Sequence, residues 1–130
     1  MLNLRKIVDD FEDISNATFH GKLDRRANTN VGIDFEAIPR GFNQALDAVI
    51  QPLNVAADYV DRISKGDVPP KITDEYHGDF NTIKNNLNRC IDSINALVSD
   101  ANKLSAAAVE GKLDTRADAS KHYGDYRAIV

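Results

Sequence analysis

The chain has 130 residues, of which 42% are hydrophobic, 7% aromatic and 28% charged, with a formal net charge of −4. That length holds one ordinary domain, or several very small units that share a core. The acidic balance disfavours a nucleic-acid partner, whose phosphates need a basic face, and a polybasic membrane patch, while a single cysteine, Cys90, excludes an intrachain disulfide scaffold. Tryptophan is absent, so burial must come mostly from Leu, Ile, Val and Ala. No run approaches the ~20 apolar residues of a membrane span. The N-terminus is too acidic and too periodic for a signal peptide. A soluble, cytoplasmic fragment is therefore expected, with no membrane contact of its own.

The first predicted element is a helix over about 3–20. Leu4, Ile7, Phe11, Ile14 and Thr18 step by three and four. A connector follows, opened by Gly21-Lys22-Leu23-Asp24-Arg25-Arg26-Ala27. A second helix is predicted over 35–65, carried by Phe35, Ile38, Phe42, Ala45, Val49, Ala56, Tyr59 and Ile63. Pro52 lies inside it, removes a backbone donor and should kink or reset it. The next connector begins Gly66-Asp67-Val68-Pro69-Pro70-Lys71-Ile72. A third helix is predicted over 80–110, with Phe80, Ile83, Leu87, Cys90, Ile94, Leu97, Ala101, Leu104 and Ala108 on one seam. The phrase Gly111-Lys112-Leu113-Asp114-Thr115-Arg116-Ala117 opens a third connector, and a fourth helix starts near 125.

Gly21, Gly66 and Gly111 lie 45 residues apart. Each follows the last seam residue closely, as a left-handed C-terminal cap would. Asp34 and Asp79 precede the first core aromatics, where they can accept from free N–H groups. The register extends past the glycines: Phe35 matches Phe80, Ile38 matches Ile83, and Phe42 matches Leu87. A period of this size marks an array of small units. Three are read, over 1–52, 53–97 and 98–130. The third breaks off inside its pattern, so a longer parent chain is expected.

The seam steps average 3.5 residues, the spacing of a left-handed supercoil. From Gly66 to Asp79 the chain is too long for a tight helix hairpin. Extended at up to ~3.3 Å per residue, it can run back along a helix rising ~1.5 Å per residue. The flanking helices would then be parallel, with Val68 and Ile72 pinning the connector. One narrow seam on each of two parallel helices makes a poor monomeric core; two chains together would make a four-helix bundle, and the seam fits a three- or four-chain assembly as well.

No enzyme is evident. Asp9-Asp10 and Asp74-Glu75 are adjacent carboxylates that point different ways on a helix, and no phosphate-cradling loop or nucleophile elbow is present. His20, His77 and His122 lack metal-ligand spacing, and none sits like a phosphoacceptor. Cys90 has no neighbouring base to activate it and reads as a small core residue. No cofactor and no metal are expected.

Pro52-Leu53, Gly66-Asp67-Val68, Ile72, Asp74-Glu75, Gly78 and Phe80-Asn81 together resemble the HAMP domain, the signal-relay module of bacterial receptors and sensor kinases. The second unit is one residue longer than the family pattern, with Tyr76-His77 where one residue is usual. Units one and three keep the Gly-any-Leu phrase, lack the Asp-Glu pair, and resemble the divergent kind of unit. A concatenated array of this sort, with His122-Tyr123-Gly124-Asp125-Tyr126-Arg127, is similar to those in soluble methyl-accepting chemotaxis receptors.

The resemblance implies an all-α fold: parallel coiled-coil four-helix bundles formed by a homodimer, with successive units stacked end to end. It implies connector roles for Gly21, Leu23, Gly66, Val68, Ile72, Gly111 and Leu113, and structural roles for Pro52 and for Glu75, which would reach the start of the preceding helix. The partners implied are a second copy of the chain and the sensor and output domains of the parent protein. Relay would proceed through small residues that interrupt the seam, such as Ala101, and through Ile91 and Val98 beside it, which offer a second apolar face. A passive dimerisation rod and a monomeric groove-binding helical repeat are the competing readings of the same periodicity.

Overall fold

The computed structural model describes residues 2–130, with side chains described from Leu4 onward. The described residues are all-helical and contain no strand. Three long helices, α1 (Leu2–Phe19), α2 (Ala37–Ser64) and α3 (Asp79–Val109), are followed by a 3₁₀ turn at Ala119–Lys121 and a short α4 (Gly124–Ile129). The chain divides into two compact units, Met1–Val55 and Ala56–Val130. The second and third sequence copies therefore share the second compact unit.

Each long helix stops for the same reason. Gly21, Gly66 and Gly111 have φ of 78°, 82° and 80°. In that left-handed conformation the chain turns back and its amides reach the last carbonyls. Gly21, Gly66 and Gly111 N–H donate to the carbonyls of Thr18, Ile63 and Ala108, at 2.9, 3.0 and 3.1 Å. The next residues, Lys22, Asp67 and Lys112, donate to Ala17, Arg62 and Ala107, at 2.8, 2.9 and 2.8 Å. This paired pattern is the Schellman motif. Two of the three residues accepting the bond from five positions ahead, Ala17 and Ala107, are buried.

The helix starts differ from expectation. The N-cap of α3 is Gly78, which has no side chain to offer, and Asp79 is the first helical residue. The free N–H groups of Phe80 and Asn81 go to the carbonyls of His77 and Gly78. Before α2, Phe35 and Glu36 N–H both go to the Gly32 carbonyl. Tight turns therefore satisfy the donors assigned to Asp34 and Asp79. Through Pro52, which is buried, α2 remains helical.

In the first unit, connector 1 (residues 20–36) lies against two helices at once. Asn28 N–H donates to Asp10 of α1, 2.7 Å away. Ala27 and Arg26 meet Asn43 and Asp47 of α2. Rising numbers along the connector meet falling numbers on α2, so the two run antiparallel. The connector also runs back along α1, since residue 28 lies beside a residue well before the end of that helix. Hence α1 and the first half of α2 are parallel. Phe11 and Phe42 stack between them, with ring centroids 4.2 Å apart. Ile7, Ile14, Ala17, Ala27, Val31, Pro39, Ile50 and Pro52 are the buried residues described in this unit.

Connector 2 (residues 65–78) repeats the arrangement in the second unit. Tyr59 of α2 donates its hydroxyl to the Pro70 carbonyl. On α3, Lys71 meets Asp92, Ile72 meets Asn88, and the Asp74 carbonyl meets Lys84. Eight residues of helix cover about 12 Å and three extended residues about 10 Å, so these contacts match an extended strand laid antiparallel on α3. The last turns of α2 are therefore parallel to α3.

Replacing Gly66 by Ala meets no atom within 4 Å, so only the left-handed backbone resists it. We expect Gly66→Ala to lower stability by about 1–2 kcal/mol, and Gly66→Asn by less. Urea unfolding midpoints with unchanged slope are the check.

Candidate functional site: the clasped connectors

The connectors are the built feature of this fold. An extended segment with no sheet partner leaves its backbone N–H and C=O groups unmet unless side chains supply them. Two asparagines do so. Asn43 accepts from Ala27 N–H at 2.7 Å and donates to the Ala27 carbonyl at 2.9 Å. Asn88 accepts from Ile72 N–H at 2.7 Å and donates to the Ile72 carbonyl at 3.0 Å. Each amide thus mimics the edge of a strand with one acceptor and one donor. Ala27 and Ile72, like Asn43 and Asn88, stand one 45-residue period apart.

An ion pair repeats with the same period. Arg26 Nε lies 2.8 Å from Asp47, and Lys71 Nζ lies 3.0 Å from Asp92. Asp47 and Asp92 are one turn beyond Asn43 and Asn88, so clasp and ion pair occupy one face of each helix. These pairs are exposed, and exposed pairs contribute little stability; their regularity points to register. Arg26 also donates to the Leu23 and Arg25 carbonyls, as Arg116 does to Leu113 and Thr115.

Burial follows the clasps. Ile72 of connector 2 is buried, and Val68 of connector 2 and Leu23 of connector 1 are half-buried. Leu113 is 77% exposed. Connectors 1 and 2 run between two long helices, whereas connector 3 (residues 110–123) has α3 and the six-residue α4. Glu75 is exposed and makes no ion pair among the described residues. At the neighbouring turn, Arg62 hydrogen-bonds Asp67 and holds that carboxyl below the ordinary carboxylate value.

Connector 3 is fastened by a different device. His122 Nε2 lies 2.6 Å from Asp100 of α3, and His122 is 2% exposed, the one buried polar residue of those described. Asp100 stands 90 residues after Asp10, which likewise receives a donor from its connector. Val55 occupies the intervening position. Close by, Ser120 donates its hydroxyl and N–H to Asp118 and lowers the pKa of that carboxyl, with Lys121 and His122 adding to the effect.

The expected bundle-core positions have a common fate within the single chain. Phe35, Phe42, Phe80, Leu87, Ile94, Leu97 and Leu104 are half-buried. Ile38 is 46% and Ile83 37% exposed, and Cys90 and Ala101 are exposed. The chain buries instead the side facing the connectors, including Ile91, expected beside the seam, and Ala107. Two parallel helices bridged by a connector have a layer on one side only; the seam side has none within the chain. The clasping roles of Asn43 and Asn88, and the burial of His122 against Asp100, escaped sequence reading. Their signal was a polar residue recurring at the repeat period, or a buried partner not visible in sequence.

Among the described residues no group of three His, Cys, Asp or Glu side chains could hold a metal. None of the described helices is long and apolar enough to cross a membrane. Compared with known protein families, residues 31–96 match the HAMP domain. No curated protein and no solved structure is similar enough to match.

Removing Asp100 would leave the buried His122 N–H without its acceptor. We expect Asp100→Leu to cost about 1–3 kcal/mol, and the double variant Asp100→Leu/His122→Phe to recover part of that loss. A double-mutant cycle of thermal or urea unfolding measures the coupling; a coupling near zero contradicts the buried bond.

Proposed function

Because the chain belongs to the HAMP domain family, a family of signal-transduction relays in sensor proteins, we propose that it passes conformational signals between a sensor domain and a cytoplasmic output domain of a longer parent protein. The relay state is a parallel homodimer whose two chains close a four-helix bundle in each unit. Signals pass by exchange between two helix packings of similar free energy, since a small input can shift only a nearly balanced equilibrium.

One observation carries this reading. Each unit presents two parallel helices whose apolar seam is left half-exposed by its own chain. A second copy offers the same seam, and an isologous pair buries both. The interruption of the seam by small side chains, Ala45, Ala56 and Ala101 among them, supports a bundle with thinly packed layers. The buried Ile91 and the exposed Val98 supply a second apolar stripe that slight rotation would bring toward the seam. The reading requires no cofactor, metal or catalytic group. The match over 31–96 covers the closest approach to the family pattern; a concatenated array in a chemotaxis-type receptor is the extension we propose from the 45-residue repeat.

Filling one thin layer tests the mechanism. Leucine-sized changes in core layers are worth ~2–5 kcal/mol. Ala101→Leu is expected to raise the melting temperature and to freeze the response of the parent protein. A higher melting temperature with an intact response would favour a passive rod. An unchanged melting temperature with a normal response would contradict alternative packing at this layer.

A further inference from the structure

The bonds that hold connector 2 are unequal on its two sides. Toward the helix that follows, α3, there are four: both arms of the Asn88 clasp, Lys71 to Asp92, and Lys84 to the Asp74 carbonyl. Toward the helix that precedes, α2, the turn at Gly66 is held by Arg62 to Asp67 and Lys65 to Asp61; beyond that turn, among the described residues, there is one side-chain bond, the Tyr59 hydroxyl on the Pro70 carbonyl at 3.1 Å. Connector 1 leans the same way. The two arms of the Asn43 clasp and Arg26 to Asp47 tie it to α2. Asp10, through Asn28 N–H, ties it to α1.

We propose that Asn43 and Asn88 are positioning residues that make each connector one mechanical body with the helix that follows it. Displacement between the two helices of a unit is then taken up at the contact between the connector and the preceding helix. For connector 2 that contact is the Tyr59–Pro70 bond and the glycine turn with its Arg62–Asp67 pair. The chemistry supports the division. A bidentate amide on a peptide group fixes both translation and rotation of that peptide. A single phenolic hydroxyl on a carbonyl fixes neither, because the hydroxyl can pivot and slide while remaining bonded. The lysine pairs on α3 add long, compliant links in the same direction. Through the clasp, Ile72 becomes a side chain of the α3 face in all but sequence, and a rotation of α3 carries it along.

The consequence for signalling rests on the relay reading, but the coupling itself belongs to the fold and can be measured without a stimulus. Amide hydrogen exchange at Ile72, followed by NMR on the full 130-residue chain, reports the clasp directly. Three variants separate the two tethers: Asn88→Ala removes both arms, Asn88→Asp keeps the acceptor for Ile72 N–H, and Tyr59→Phe removes the upstream bond. We expect Ile72 exchange to quicken at least tenfold in Asn88→Ala, less in Asn88→Asp, and by under twofold in Tyr59→Phe. Amides of the α3 interior serve as the internal reference, so that global destabilisation is recognised by its effect on them. If Asn88→Ala fails to fold, Asn88→Asp against Tyr59→Phe makes the same comparison. Equal effects of the Asn88 and Tyr59 variants, or no effect of either Asn88 variant, would overturn the proposal. The expected exchange pattern, together with a parent protein whose response is unaltered by Asn88→Ala, would instead leave the clasp standing and count against the relay reading.

Discussion

An extended backbone that crosses a helical protein carries polar groups that helices cannot satisfy and no strand is present to meet. The Asn43 and Asn88 amides meet them at Ala27 and Ile72, each with one acceptor and one donor. Much of the architecture depends on that exchange. It lets a connector lie flat along a helix, so the chain can return to the start of the next helix and keep the two parallel. It presses Ala27 and Ile72 inward until they are buried. It sets the register in which Arg26 and Lys71 find Asp47 and Asp92. Without it, the connector would lose the bonds that choose this path over a loose loop.

The glycine turns and the clasps divide the labour. A turn at positive φ ends each helix and reverses the chain; a clasp then holds the reversed chain in place. Connector 3 shows the first step with a different second one, in which a buried histidine on Asp100 replaces the amide. Its Leu113 stays exposed where Val68 and Leu23 are half-buried.

Much of the fold was legible because its determinants are local and repeated. Helix spacing placed α1, α2 and α3 to within about two residues. The glycines at a 45-residue period placed the caps, since only a residue without a side chain rests easily at positive φ. The length of the connectors, set against helix rise, implied parallel neighbours. The clasps were not legible: an asparagine on a helix reads as part of a solvated face unless its partner is known, and that partner lies 16 residues away. The same limit hid the bond of His122 to Asp100. The face buried within the single chain was not legible for a related reason. Periodicity identifies apolar stripes, but Ile91 and the seam form neighbouring stripes on α3, and which of them a single chain buries depends on the path of the connector, which sequence spacing cannot fix.

The seam that remains half-exposed is the feature from which a relay reading starts, and it makes one demand: a second layer of helices. Sedimentation equilibrium of the 130-residue chain over a range of concentrations measures this directly. The account predicts a species of twice 14.3 kDa, populated more strongly as concentration rises. A monomer at every concentration would contradict it and return the seam to the groove of a single-chain helical repeat.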